Sequence, residues 1–173
     1  MAKSGQQKLS PAQKAKAQAD AKKVIARNKR ARHDYFIEDR LEVGLVLTGT
    51  EVKALRMGRA SLTEAWVEIY EGEAWLRQAN IPEYFQGTWN NHAPTRKRKL
   101  LMHRSEILSW GMKAQAKGYT IVPLELYFIE GRAKLLIGLG RGKQQWDKRQ
   151  ALREAQDKRE AQRENQRFAK GIR

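Results

Sequence analysis

The chain has 173 residues, 35 Lys+Arg against 19 Asp+Glu, a net charge of +16 and no cysteine. That length holds one domain with a real core plus tails, and that charge points to nucleic acid or an anionic surface. A disulfide scaffold and a thiolate metal site are excluded, and no apolar run approaches the ~20 residues of a membrane span.

The N-terminus lacks the apolar core of a signal peptide, so a soluble, cytoplasmic protein is expected; a monomer is expected as well. Charge is uneven along the chain. Residues 1–27 carry seven Lys+Arg and one acid, 28–140 seventeen and thirteen, and 141–173 eleven and five. The ends read as basic arms, and the centre as a more ordinary domain. Residues 1–27 are a low-complexity Lys/Ala/Gln arm in which Ser10-Pro11 could start a helix.

The stretch 28–56 organises the rest. It opens with Asn28 and the cations Lys29, Arg30 and Arg32, then His33-Asp34-Tyr35. Two strands are expected at 34–38 and 42–48 around a polar Asp39-Arg40 turn. Thr50 is the expected cap of a helix over 50–57, with Glu51 in its first turn favoured by the helix dipole and Gly58 closing it. On that helix Val52 and Leu55 face one way, Lys53 and Arg56 the other.

Residues 65–70 and 73–79 alternate apolar and polar positions across Glu71-Gly72, a hairpin signal. Trp66 and Trp75 fall in these strands and read as core or rim rather than as stacking platforms. Residues 82–98 form a long loop that ends in Arg96-Lys97-Arg98-Lys99. Four successive cations can follow a phosphate chain, or form only a solvated face. Ser105 is the expected cap of a helix reaching Lys117, with Ile107, Leu108, Met112 and Ala116 as its buried stripe. A second hairpin, 119–130 and 132–139, turns at Glu130-Gly131, and Pro123 marks an edge or a bulge.

About six short antiparallel strands with short helices favour a small barrel, because closure removes exposed edges. An α+β, oligonucleotide-binding-fold-like barrel over 28–140 is expected, with a sandwich as the alternative. Residues 141–173 are helix formers with sparse apolar positions: a basic tail, helical or disordered, hinged at Gly142. Catalytic and metal chemistry find no support. His33, His92 and His103 are scattered, Gly140-Arg141-Gly142-Lys143 lacks the spacing and hydroxyl of a phosphate loop, and no cofactor is implied.

The order Asn-Lys-Arg-Ala-Arg-His-Asp-Tyr, followed by Leu-Thr-Gly-Thr-Glu-Val-Lys-Ala-Leu-Arg, closely resembles the SsrA-binding protein (SmpB) family over roughly residues 24–170. The resemblance implies the same barrel fold. It implies binding to the tRNA-like domain of transfer-messenger RNA (tmRNA) and delivery of that RNA to stalled ribosomes for trans-translation. Alanyl-tRNA synthetase and elongation factor Tu would be indirect partners. By motif, the RNA face would include Asn28, Lys29, Arg30, His33, Glu42, Leu101 and Lys134. Gly142, Lys143, Trp146, Asp147, Lys148 and Arg149 would enter the decoding centre and the empty message channel. Trp146 departs from the His or Tyr of many family members. Two rivals stand beside this reading: a permanent ribosomal or assembly protein, and an RNA-processing enzyme using His33.

Overall fold

The computed structural model describes residues 22–171, so the Ser10-Pro11 helix expected in the arm lies outside the described residues. In chain order the elements are β1 (Lys23–Arg27), α1 (Lys29–Asp34), β2 (Tyr35–Leu45), α2 (Gly49–Arg56), β3 (Trp66–Tyr70) and β4 (Glu73–Arg77). A single 3-10 turn at Thr88–Asn90 precedes β5 (Arg98–Leu101), α3 (Arg104–Gln115), β6 (Tyr119–Ile129), β7 (Arg132–Gly142) and α4 (Gln145–Gly171).

Each hydrogen-bonded strand pair is antiparallel. They run β6-β3-β4-β5-β2-β7, and β7 returns to β6, so six strands form a barrel-like ring. The seventh, β1, lies against β6 from Lys23↔Phe128 to Arg27↔Glu125, while β3 meets β6 further along at Val67↔Ile121. Both hairpins turn on two residues of positive φ, Glu71-Gly72 (50° and 73°) and Glu130-Gly131 (49° and 75°). That geometry matches the right-handed twist of the strands, and glycine takes the second position without a Cβ penalty.

The ring closes on an apolar interior in which Leu55, Leu76, Leu135 and Ile137 are wholly buried, with Val43, Leu62, Leu100 and Leu126 around them. A smaller apolar cluster lies on the outer face of β6 and β7, where Ala31 of α1 covers Val122, Leu124, Ile37 and Leu136. Close approach is possible there because Gly138 has no side chain. A Cβ on it would come within 2.9 Å of both Ile37 Cγ2 and Leu124 Cδ1.

Several expected boundaries shift. Residues 35–45 form one strand rather than two, because β7 pairs along its whole length from Tyr35↔Gly142 to Gly44↔Lys134. The expected turn is only a bulge between Ile37 and Asp39, with Asp39 held by Lys113 Nζ at 2.9 Å. Val24 and Ile25, at the end of the basic arm, are captured as β1 because β6 offers a free edge there. Residues 29–34 are helical, a segment too short to carry a periodic signal. The cap of α2 is Thr48, whose backbone N–H donates to Glu51 Oε2 at 2.8 Å; Thr50 lies inside the helix. On α3, Trp110 is buried while Leu108 and Met112 are 58% and 69% exposed, so the expected stripe is displaced. Pro123 does sit at a bulge, between itself and Glu125. Of these residues, no helix is long and apolar enough to cross a membrane.

Candidate nucleic-acid interface

Asn28 builds the first part of the site. It is 4% exposed, and its Oδ1 accepts the Ala31 N–H at 3.0 Å, starting α1. Its Nδ2 donates to the carbonyls of Leu62 at 2.9 Å and Pro123 at 3.1 Å. Its polar atoms are thus engaged within the protein. It contributes by nailing α1 to the barrel, so that Lys29, Arg30, Arg32 and His33 project from one short helix. Arg30 spans from Asp34 (3.3 Å) to Glu64 (2.5 Å), and His33 Nδ1 lies 2.9 Å from Asp34 Oδ1.

The root of the tail joins this cluster. Gly142 pairs with Tyr35, the Lys143 N–H donates to Asp34 O at 2.9 Å, and Lys143 Nζ donates to Arg32 O at 3.3 Å. The same ammonium lies 4.8 Å over the Phe36 ring. Trp146, Asp147, Lys148 and Arg149 continue into the first turns of α4, where Asp147 Oδ2 accepts the Gln144 N–H at 3.2 Å. The exposed side chains from Leu152 to Arg163 and the hydrogen bonds Gln150→Glu154 and Gln156→Glu160 (both 3.2 Å) run along that helix.

Leu101 and Lys134 sit elsewhere. Gly44 pairs with Leu101 on one side and Lys134 on the other, which sets both side chains in one row across β5, β2 and β7. Glu42 is two residues back on the same face, 3.7 Å from Lys134 Nζ, and Leu101 is 55% exposed. From Tyr35 to Gly44 the strand covers up to about 30 Å at about 3.3 Å per residue, so the expected RNA residues form two patches.

A polar chain on the outer face connects them. Arg32 Nη2 donates to Glu125 Oε1 at 2.9 Å, and Lys22 Nζ donates to Glu125 Oε2 at 2.9 Å. The Lys22 ammonium lies 3.8 Å from the centre of the Tyr127 ring, and the Tyr127 hydroxyl donates to Glu42, beside Lys134. Arg27 approaches Glu125 at 3.6 Å. Burial pushes the Glu125 carboxyl up, but its bond to Lys22 and the charges of Lys22, Arg27 and Arg32 prevail and hold it below the usual range. Burial first, and then Glu42, push the Tyr127 phenol up, so it remains a donor. One buried carboxylate thus arrays three cations, two of them more than half exposed (Arg27 61%, Arg32 57%). Cations held in place this way meet phosphates with less ordering cost than free lysines.

The motif-matched set lacked Lys22, Arg27, Arg32, Glu125 and Tyr127. Arg32 stood in the basic cluster by sequence; Glu125 and Tyr127 alternate along a strand, but only the β6 bulge turns them toward α1 and β2.

The basic run 96–99 does not form four free phosphate ligands. Arg98 is wholly buried and donates to Glu51 Oε1 at 2.8 Å and to the carbonyls of Ala79 and Pro94 at 2.6 and 2.9 Å. Arg96 also clamps Glu51, through Nε at 2.7 Å, and Lys99 pairs with Glu73. Lys97 stays exposed, 4.9 Å over the Trp75 ring. A buried carboxylate in α2 needed cationic partners, and this run supplied two.

The SmpB protein family profile matches residues 25–167. The chain belongs to the SmpB family. The SsrA-binding protein of Leifsonia xyli subsp. xyli is 62% identical over 147 residues, 85% of this chain and 93% of that protein. The SsrA-binding protein of Bifidobacterium longum is 66% identical over 140 residues, 80% of this chain and 89% of its own. A chain solved in work on tmRNA-SmpB at the center of the bacterial ribosome has a TM-score of 0.61 and 44% identity, over 73% of this chain and 93% of that one. The SmpB-family match spans the ring, α1, most of α4 and every member of the outer-face chain except Lys22.

Proposed function

We propose that this chain binds the tRNA-like domain of tmRNA (SsrA) with its outer face and delivers it to stalled ribosomes for trans-translation. The observation that carries this reading is the continuous polar chain from Arg32 of α1 through Glu125, Lys22, Tyr127 and Glu42 to Lys134 of β7. It presents cations at intervals over a curved surface, the pattern suited to a folded RNA recognised by shape and backbone. Lys29, Arg30, Arg32 and His33 form one end of the footprint, Glu42, Leu101 and Lys134 the other, and Asn28 positions the first group.

The tail completes the function. Its side chains from Leu152 to Arg163 are exposed and its apolar positions are few, so tertiary packing adds little to its stability. In this reading α4 gains its lasting order when ribosomal RNA surrounds it in the decoding centre and the empty message channel. Gly142 and Lys143 anchor it, and Trp146, Asp147, Lys148 and Arg149 lead it in. Because Lys143 is tied to α1, RNA bound on α1 and the direction of the tail share one support. Alanyl-tRNA synthetase and elongation factor Tu are reached through the bound RNA, in the cytoplasm, by a monomer.

The test is a gel shift against tmRNA at about 150 mM salt, with excess unstructured RNA of equal length, since phosphate-only binding fades steeply with salt. Complex that survives competitor, and is lost in an Arg32→Ala/Lys134→Ala double variant, is the expected result. If competitor strips the complex, the charge acts unselectively and the proposal fails.

A further inference from the structure

The loop between β4 and β5 holds the two most exposed large apolar side chains among the described residues, Phe85 at 87% and Trp89 at 91%. Such rings cost hydration free energy in the open, so their support is informative. The loop's neck is built firmly. The Ile81 N–H donates to Pro94 O at 3.0 Å, and buried His92 bridges Ile81 O (2.9 Å) and the Thr50 hydroxyl (3.1 Å). Arg98 donates to Pro94 O, with Glu51 behind it.

The tip is fastened as well. Asn91 Oδ1 accepts the Tyr84 N–H and its Nδ2 donates to Tyr84 O, both at 3.0 Å, on either side of the 3-10 turn that carries Trp89. A segment fastened at neck and tip therefore holds two rings out in water. Neither ring belongs to the outer-face site, which lies on β1, α1, β2, β5, β6 and β7.

Charge indicates the partner. Lys53 lies 5.3 Å over the ring of Tyr84, the residue before Phe85, and exposed Lys97, at the loop's C-terminal root, lies over Trp75. Glu83 is the one acid of the loop, and the nearby carboxylate Glu51 is already neutralised by Arg96 and Arg98. Two aromatic faces on a fastened loop, with the Lys53 ammonium over the ring next to Phe85, suit a stacked, unpaired nucleobase strand, because every base offers a π face and brings a phosphate.

We infer that Phe85 and Trp89 form a second RNA contact, a platform for unpaired bases that works independently of the outer face. Phe85 and Trp89 each stack on one base, while Lys53 meets a flanking phosphate.

The probe is a labelled 12-residue oligoadenylate, titrated by anisotropy with the full chain at about 150 mM salt. The Phe85→Ala/Trp89→Ala variant should lose roughly 5- to 150-fold in affinity for each base unstacked. Phe85→Tyr/Trp89→Phe should retain affinity while losing most of the tryptophan quenching that binding causes. Phe85→Ala/Trp89→Ala should still bind the isolated tRNA-like domain of tmRNA like the parent chain in the competitor gel shift, so the platform and the tmRNA reading fail separately. Both rings are exposed, so circular dichroism of the variants should match that of the parent chain. No binding by the parent chain, or equal binding by the double alanine variant, overturns the inference; the second outcome would point to a protein partner for the rings.

Discussion

Glu51→Gln is the most informative single change, because Glu51 is wholly buried and holds Arg96 and Arg98 together. Its carboxylate accepts from the Thr48 N–H, from Arg96 and from Arg98. Burial alone would push the carboxyl up. The bond from Arg96, the Thr48 N–H and the Arg98 charge outweigh it and lower it from 4.5 to about 2. The difference of 4.5 minus about 2 corresponds to about 3 kcal/mol of stabilisation near neutral pH. An independent expectation agrees, since leaving a buried charge such as Arg98 without its partner costs about 3–5 kcal/mol. For a domain of this size that is about 10–20 °C in Tm.

Thermal unfolding followed by circular dichroism at pH 7 is the assay. The pH series adds a second check. A carboxyl whose folded value is depressed stabilises above its unfolded value and loses that effect as pH falls through its folded value. The gap between the parent chain and Glu51→Gln should therefore be full above about 4.5 and narrow towards about 2. A gap below about 2 °C at pH 7, or one that does not change across that window, would refute the ion-centre argument.

Asn28→Ala removes the cap of α1 and two buried amide bonds; about 1–3 kcal/mol of stability should go, and tmRNA should bind more weakly in the gel shift although Asn28 itself is buried. Gly138→Ala places a methyl 2.9 Å from Ile37 and Leu124, so denaturant titration should show a loss of about 1–3 kcal/mol, with the strand order intact. Glu125→Gln frees Lys22, Arg27 and Arg32; because the carboxyl is depressed, its contribution is present above the usual carboxylate range and disappears on acidification. The variant and parent Tm values should converge at low pH and separate near neutrality. Trp146→Ala should impair peptide tagging in a reconstituted trans-translation reaction, by the ~1–3 kcal/mol of one stacked base. Normal tagging by that variant would remove Trp146 from the mechanism.

By itself the amino-acid sequence determined features that depend on near neighbours and on bulk charge. Glu71-Gly72 and Glu130-Gly131 specify two-residue turns, so both hairpins were legible. The helix-forming composition of 145–171 made the tail legible as helical or disordered, and the residue order of 28–56 identified the family. What required the tertiary structure was set by partners distant in the chain. Whether 35–45 is one strand or two depended on β7, about a hundred residues away, and β1 became a strand because β6 had an unpaired edge. Whether a charge is a ligand or a brace was decided the same way. Arg96 and Arg98 look identical to Lys97 in a basic run, yet Glu51, 45 and 47 positions earlier, withdraws them into the protein. Glu125 looks like an ordinary surface acid until the bulge after Pro123 turns it under Lys22 and Arg32. Local pattern encodes period and turn; it does not encode which buried charge a side chain must neutralise, because that balance is struck only when the ring closes and water is removed.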